Sequence, residues 1–357
     1  ILKGYTKQEI SWMMYDWANS AHSVIIVTLL PIFFDTVAGY TADSVSSMST
    51  WGYATSIAML IVALAAPFLG VFGDIRGMRK KLFSFFMLLG VAACAGMAFT
   101  PGMDFTSGPA AAGKVASLIL VLYIVSVIGF DASAIYYDAF LTDVTIEDRM
   151  DKVSTMGYGL GYIGGSTIPL LIFLIMNLVG VPMLTCLAFV FGLTAVWWLA
   201  FSLPLLKNCE QTSGKPYEKG DVARSIKGVG TTIKEIIANK PMLIYILSYF
   251  FYIDGVHTVI SMATTYGTNL GLDSTGMMLA LLLVQILGLP FCLLYIKCSE
   301  KFGARTMVGF GICVYMFICI FAFFMNSLWQ FWVLAVLCAT SQGGIQALSR
   351  SMYGKLI

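Results

Sequence analysis

The sequence predicts an all-α integral membrane protein. Hydrophobic residues make up 59% of the 357 residues and charged residues only 11%, whereas a soluble globular domain is about 25% charged. The apolar residues form runs of about 20, the length that crosses a bilayer as a helix, and not the short alternating segments of an outer-membrane barrel. The composition therefore excludes a soluble protein, and no basic block typical of nucleic-acid binding is present.

Ten apolar runs, bounded by charge, glycine or proline, predict ten membrane-spanning helices. Their residues are 11–37, 50–72, 82–100, 115–137, 154–179, 182–206, 241–267, 275–296, 305–325 and 328–349. If the N-terminus is cytoplasmic, every Lys and Arg except Lys114 falls on the cytoplasmic side, as the positive-inside rule requires. We therefore expect a multi-pass protein whose N-terminus and central linker are cytoplasmic.

The longest segment between spans, residues 207–240, divides the chain into six spans and four. It predicts an N-terminal six-helix bundle (1–206), a cytoplasmic linker (207–240) and a C-terminal bundle (241–357) that is incomplete. Apolar residues recur among the charges of the linker's second part: Val222, Ile226, Ile233, Ile236 and Ile237. This pattern fits an interfacial amphipathic helix and, equally, a solvated tether.

The first helix of each half carries a similar polar pattern. Asp16 and Asn19 in the first span match Asp254 and His257 in the seventh at the same spacing. An alternative register pairs His22 with His257, and the sequence does not choose between the two. Repeats of this kind are common in secondary transporters, whose substrate site lies near the bilayer midplane between the halves.

Several segments resemble a known family. Residues 70–80, Gly-Val-Phe-Gly-Asp-Ile-Arg-Gly-Met-Arg-Lys, resemble the signature loop between the second and third helices of the major facilitator superfamily. Four other segments are similar to one branch of that superfamily, the branch related to autophagy-linked vacuolar amino-acid effluxers. These segments are Tyr15–Ala21, Gly161–Gly165, Asp254–Val256 and Gln342–Ser351. The resemblance implies two pseudo-symmetric six-helix bundles, alternating access and a cavity lined by helices 1, 4, 7 and 10. It also implies that the last two helices are missing from this sequence.

Acidic residues occur inside the predicted spans, whereas the only Lys or Arg in them is Arg305, at the first residue of the ninth. A carboxylate in the bilayer is costly unless it is paired, hydrated or protonated, so an intramembrane acid is a candidate functional residue. We expect Asp16, Asp131 and Asp254 to lack basic partners and to face water, a cation or a proton. Asp138, near an inner helix end, is expected to cap or hydrate that end.

His22 and His257 are the two histidines of the chain. Imidazole changes charge near neutral pH, so each can accept a coupling proton or contact a substrate carboxylate, and each can equally be a packing residue. The glutamines of the tenth span can offer uncharged donors and acceptors or join helices. The predicted cavity for substrate or protons consists of Asp16, Asn19, His22, Asp131, Asp254, His257, Gln342 and Gln346.

The 70–80 loop is assigned to gating, because it is a conformational latch in the resembled family. Its latch residues are Gly70, Asp74, Arg76, Gly77, Arg79 and Lys80. In the fifth span, Gly157, Gly161 and Gly165 allow close helix approach. A similar glycine-rich stretch marks proton antiporters of the superfamily, but it has Pro where this chain has Tyr162, which leaves the exchange mechanism open.

These features favour a secondary transporter of a small polar organic solute, driven by protons or another coupling ion. Amino acids are favoured by the resemblance alone, a monomer is expected, and the cell membrane is favoured over a vacuolar or lysosomal membrane. The alternatives are efflux of lipophilic or organic cations and, more remotely, a membrane-embedded enzyme with Asp and His as acid and base. The sequence has no nucleotide-binding loop, metal-ligand spacing or disulfide framework, so no cofactor is expected.

Overall fold

The computed structural model describes residues 2–41, 46–214 and 221–356, and residues 215–220 of the predicted linker lie outside them. Its helices are α1 (Lys7–Ala38), α2 (Ser47–Gly73), α3 (Met78–Met97), α4 (Pro109–Ala139), α5 (Leu141–Val144), α6 (Glu147–Leu160), α7 (Thr167–Leu178), α8 (Met183–Asn208), α9 (Asp221–Ala238), α10 (Lys240–Asn269), α11 (Ser274–Phe302), α12 (Ala304–Phe323) and α13 (Leu328–Gly354). A 3₁₀ turn, Thr100–Gly102, follows α3, and a π-helical segment, Gly161–Ser166, joins α6 to α7.

Among the described residues, ten helical stretches are long and apolar enough to cross a bilayer. They confirm the predicted all-α membrane fold and its number of spans. Several spans are longer than their apolar runs predicted. Among them, the fifth begins at Glu147 and not at 154, and the tenth ends at Gly354 and not at 349. Because Glu, Lys and Arg are good helix formers, these helices continue beyond the apolar run.

The turns before α3 and α12 share a glycine with positive φ. Gly77 has a φ of +81° and Gly303 a φ of +83°, a conformation that residues with a Cβ rarely adopt. Arg79 and Arg305 each follow two residues later. The Gly-x-Arg pattern that recurs in the two halves of the sequence thus marks a tight turn in both.

The protein contains two compact units. Unit 1 comprises Ile1–Trp17, Val144–Thr167 and Gly230–Ile357, and unit 2 comprises Ala18–Asp143 and Ile168–Val229. Unit 1 thus joins the start of α1 and all of α6 to the helices that follow the linker. The division of the chain into two bundles at residues 207–240 is not tested by these contacts and stays a prediction.

In unit 2, α3 packs against α4 and α8, and α2 packs against α4. The α3–α4 crossing depends on glycines, since a Cβ atom on Gly129 would lie 2.5 Å from the backbone nitrogen of Gly90. On the other side of Gly90, a Cβ atom would lie 2.4 Å from the ring of Trp198 on α8. The same indole lies 5.2 Å from the His22 ring, so this packing positions a predicted cavity residue.

In unit 1, α6 packs against both α11 and α13, and α13 also packs against α11 and α12. Close contact between α11 and α13 requires Gly344, because a Cβ atom there would lie 2.1 Å from the ring of Tyr295. The helix that contributes the charged start of the fifth span therefore lies directly against two helices from the second half of the sequence.

Candidate functional site

A buried ion pair joins α1 to α13. Nη2 of Arg350 lies 3.1 Å from Oδ2 of Asp16, and the two side chains are only 7% and 8% exposed. The guanidinium also donates to Ser154 on α6, through Nε to Oγ (2.8 Å) and through Nη2 to the carbonyl oxygen (3.0 Å). It lies 4.5 Å from the ring centroids of both Trp12 and Tyr158. Three helices thus converge on one arginine.

The prediction that Asp16 lacks a basic partner is wrong. It rested on a tenth span ending at 349, and the longer α13 brings Arg350 into the helix. Burying an ion pair costs desolvation free energy, and removing one partner leaves an uncompensated buried charge. The charge of Asp16 is therefore balanced by Arg350, which makes Asp16 a poor candidate for a free proton carrier.

Gly157 makes room for this pair. A Cβ atom at this position would lie 2.3 Å from Oδ2 of Asp16 and 3.5 Å from Nη2 of Arg350. Further along the fifth span, a Cβ atom on Gly164 would lie 2.2 Å from the ring of Trp17. The close helix approach predicted for the glycine-rich stretch is thus present at Gly157, where it places the backbone of α6 against the ion pair.

The π-helical segment directs Tyr162 between α11 and α13. Its ring would lie 2.5 Å from a Cβ atom on Gly288 of α11 and 2.7 Å from one on Gly343 of α13. The same Cβ atom on Gly343 would lie 2.5 Å from Sγ of Cys292. Tyr162 is buried, and it fills a space that exists only because both facing residues are glycine.

Two further polar clusters hold α6. Glu9 of α1 forms an ion pair of 2.7 Å with Arg149 and accepts a hydrogen bond of 2.7 Å from Thr145. Asp151 of α6 accepts from the Ser351 hydroxyl (2.6 Å) and from Lys355 Nζ (2.8 Å) at the end of α13. We call these two clusters and the Asp16–Arg350 pair the α6 ion pairs.

Sequence reasoning missed most members of the α6 ion pairs. They are Glu9, Arg149, Asp151, Ser154, Arg350 and Lys355. The charges near the start of the fifth span served only to orient the chain. One signal was available, because Arg350 follows Gln346 by four residues and so lies on the same helix face as that predicted cavity residue.

Two of the predicted cavity residues in unit 2 have a buried polar atom without a hydrogen-bond partner among the described residues. Oδ2 of Asp131 on α4 is one, and Nδ1 of His22 on α1 is the other. Nε2 of His22 lies 3.3 Å from Oγ of Ser126, and its ring stacks on Phe130 with 4.7 Å between centroids. His22 therefore packs among aromatic rings, whereas Asp131 presents a carboxyl oxygen that nothing described satisfies.

The remaining predicted cavity residues lie in different surroundings. Asn19 is buried in unit 2, and Gln342 and Gln346 are half-buried on α13. Asp254 and His257 are exposed on α10. Asp16, Asp254, His257, Gln342 and Gln346 belong to unit 1, and Asn19, His22 and Asp131 belong to unit 2. Their assignment to one common cavity stays a prediction.

The predicted latch centres on Arg79. Its side chain is buried and forms an ion pair with Asp143, just after α4, and donates to the carbonyl oxygen of Ala139 (3.1 Å). Asp74, the acid expected from the motif, is 78% exposed and lies 3.9 Å away. Lys80 donates to the carbonyl oxygen of Cys209 (3.1 Å).

The other predicted latch residues lie around the Arg79–Asp143 pair. Gly70 is half-buried at the end of α2, and Arg76 and Gly77 are exposed in the turn.

The start of the linker completes the latch. Oε1 of Gln211 accepts from the backbone nitrogens of Gly77 (2.9 Å) and Arg79 (3.3 Å), and its Nε2 donates to the carbonyl oxygen of Gly73 (2.9 Å). Asp143 accepts from the backbone nitrogen and hydroxyl of Thr212 and from those of Ser213, at 2.8–3.0 Å. The segment 209–213 therefore covers the turn between α2 and α3. Burial raises the pKa of the nearby Cys209 thiol to about 12, which keeps it protonated.

Replacing Gln211 with alanine is expected to loosen this turn without unfolding the protein. Loss of three hydrogen bonds, each contributing about 1 kcal/mol, should speed amide exchange at Gly77 and Arg79 by about tenfold or more. Hydrogen–deuterium exchange mass spectrometry of the 73–80 peptide measures it. Glu210→Ala, an exposed neighbour, is the matched control, and equal exchange in both variants would contradict the role of Gln211.

Comparison with known proteins identifies the family. The profile described as "vacuole effluxer Atg22 like" matches residues 5–149 and 142–357. The MFS-type transporter YxiO of Bacillus subtilis is 41% identical over 365 residues, which cover all of this chain and 82% of YxiO. The chain belongs to the Atg22-like family of the major facilitator superfamily. Membership confirms the resemblance seen in the sequence motifs.

More distant relatives are consistent with this family and with its fold. Autophagy-related protein 22-1 of Penicillium rubens is 24% identical over 242 residues, covering 60% of this chain and 41% of the fungal protein. Among solved structures, the proton:xylose symporter XylE has a TM-score of 0.60 at 16% identity, covering 98% of this chain and 85% of XylE. An inward-open structure of XylE from E. coli has a TM-score of 0.54. At these identities the XylE structures establish the shared fold.

As a member of this family, the chain is a multi-pass integral membrane protein and a transporter. Its relatives are transporters, so it is not a membrane-embedded enzyme. Within the fold, the α6 ion pairs, Tyr162, Asp131 and the latch are the features whose chemistry bears on transport.

Proposed function

We propose that this protein is a proton-coupled secondary transporter that moves a small polar organic solute by alternating access. The family establishes transport, and an amino acid is the leading solute class because of the motif resemblance alone. XylE, which shares the fold, is a proton symporter, so this architecture accommodates proton coupling.

Our proposal of proton coupling rests on the carboxyl group of Asp131, whose Oδ2 is buried without a hydrogen-bond partner among the described residues. A carboxylate within a membrane span needs a basic partner, water or a proton, since an unpaired charge there is costly. Asp16 has Arg350 as its partner, whereas Oδ2 of Asp131 is buried without any among the described residues. Asp131 is therefore the acid best suited to bind and release a proton during the cycle.

The α6 ion pairs and Tyr162 supply the contacts that alternating access must break. Helices α1 and α6 precede the linker in sequence, and α11 and α13 follow it. All basic members of these pairs lie toward the predicted cytoplasmic side. We assign the pairs to a cytoplasmic gate that is closed in this conformation, and its opening separates α6 from α11 and α13. The Arg79 latch is assigned to the same gating motion.

Replacing Asp131 with asparagine should uncouple transport from protons. An amide cannot take up a proton, so solute accumulation driven by a pH gradient in proteoliposomes should fall by about tenfold or more. Counterflow exchange of solute, which needs no net proton movement, should persist. Asp138→Asn is the matched control, because Asp138 lies on the same helix and is exposed. Loss of exchange together with accumulation, or loss of neither, would contradict the assignment.

The solute class is tested by thermal stability. A solute that binds the folded protein raises its unfolding temperature, so purified protein is heated with amino acids, nucleosides, sugars or organic cations across a range of pH. Stabilisation by an amino acid supports the proposal. Stabilisation by organic cations alone favours the second candidate, cation efflux, which the acidic side chains of Asp131 and Asp254 would also suit.

We place the protein in the cell membrane as a monomer, with its N-terminus in the cytoplasm.

A further inference from the structure

The linker forms a helix, α9, which ends directly before a membrane span. α9 runs from Asp221 to Ala238, and α10 begins at Lys240, so Asn239 alone separates them. The end of α9 must therefore lie within a few ångströms of the start of a bilayer-crossing helix, since adjacent Cα atoms are 3.8 Å apart. A fully solvated path away from the membrane is not open to its last turn.

The sequence of α9 is amphipathic with the period of a helix. Apolar positions recur every three or four residues, at 222, 226, 229, 233, 236 and 237, which places them on one face. Among the described side chains of this face, Ile233 is 47% exposed and Ile237 is 57% exposed. No described part of the protein covers these two isoleucines, although exposed apolar side chains on one face are unfavourable in water.

The charges of the linker match the surface of a membrane. Residues 207–240 contain seven Lys and Arg against four Asp and Glu. In α9 the basic positions 224, 227 and 234 lie outside the apolar stripe, and Lys234 is exposed. An amphipathic helix with basic residues beside its apolar face binds the interface of a bilayer and prefers anionic headgroups.

We propose that α9 lies in the interface of the bilayer that α10 crosses, with Ile233 and Ile237 among the lipid chains and its basic residues at anionic headgroups. The occupant of the apolar face is thus lipid, and the direct connection to α10 determines which surface it reaches. This interaction is independent of the transported solute and of proton coupling.

The test places a fluorescent probe on each face of α9 in the full chain. Single cysteines at Ile233→Cys or Thr231→Cys, in a background without the native cysteines, are labelled with a small environment-sensitive fluorophore. The protein is reconstituted in nanodiscs of phosphatidylcholine with or without phosphatidylglycerol. Thr231 is the matched control, because it is exposed and lies on the opposite helix face.

Brominated lipids should quench the probe at Ile233 by about twofold or more and leave the probe at Thr231 nearly unchanged, since only the former is immersed. The quenching should increase with phosphatidylglycerol. Quenching of the Ile233 probe by aqueous iodide, and not by bromolipid, would show a solvated tether and overturn the proposal. Shielding from both quenchers would show packing against protein and would also overturn it. Equal bromolipid quenching without phosphatidylglycerol would overturn the preference for anionic lipid.

Discussion

Replacing Arg350 with leucine should lower the free energy of unfolding by about 3–5 kcal/mol, the cost of leaving one partner of a buried ion pair unpaired. The variant strands the Asp16 carboxylate, which is only 8% exposed. It also removes two hydrogen bonds to Ser154 and the contacts of the guanidinium with Trp12 and Tyr158. The unfolding temperature in detergent, followed by the loss of the monodisperse peak on size exclusion, measures the effect.

A matched control lies in the next α6 ion pair. Lys355 pairs with Asp151 at 2.8 Å, but its side chain is 26% exposed. Lys355→Leu should cost no more than about 1 kcal/mol, as partly exposed pairs do. If the two leucine variants lose equal stability, the Asp16–Arg350 pair is not the principal contact of this group.

A double variant separates charge pairing from packing. Arg350→Leu combined with Asp16→Leu removes both charges, and similar buried pairs have been replaced by apolar residues without loss of stability. The double variant should therefore be more stable than Arg350→Leu alone, even though it carries one more substitution. A double variant that is less stable than both single variants would show that the pair contributes through geometry at Ser154 and not through charge.

The number and order of the spans could be predicted because hydropathy is a local property of the sequence. Helix ends could not, since hydropathy treats the charged residues around Arg149 and Arg350 as loop although they continue α6 and α13. That boundary error concealed the main pair of the site. Asp16 and Arg350 are 334 residues apart in sequence, and only folding shows that they meet.

The repeated motifs show a second limit. Asp16 and Asp254 occupy matching sequence positions, but the first is buried against an arginine and the second is exposed. A pattern on one helix defines a face, whereas the partner of that face comes from another helix. The latch behaves similarly: its motif predicted Arg79, but the acid that neutralises it, Asp143, lies 64 residues away.

Closing a disulfide between α6 and α11 should stop transport. A Cβ atom on residue 159 would lie 3.2 Å from Cβ of Cys292, close to the separation of about 3.5–4.5 Å in disulfides. Gly159→Cys, in a protein whose other native cysteines are replaced by serine, should therefore cross-link to Cys292 on mild oxidation. Mass spectrometry of the linked peptides establishes the bond.

The cross-link tests whether α6 leaves α11 during transport. If the α6 ion pairs and Tyr162 form a gate that opens in every cycle, uptake into proteoliposomes should fall by about tenfold or more on oxidation and return with dithiothreitol, since alternating access requires the two conformations to interconvert. Gly159→Cys with Cys292→Ser controls for the oxidant. Gly159→Ala controls for crowding, because a Cβ atom there meets Leu289 Cδ1 at 2.9 Å. If the cross-linked protein takes up solute as fast as the protein treated with dithiothreitol, these helices stay together during transport. The gate would then have to be sought at contacts other than those of α6.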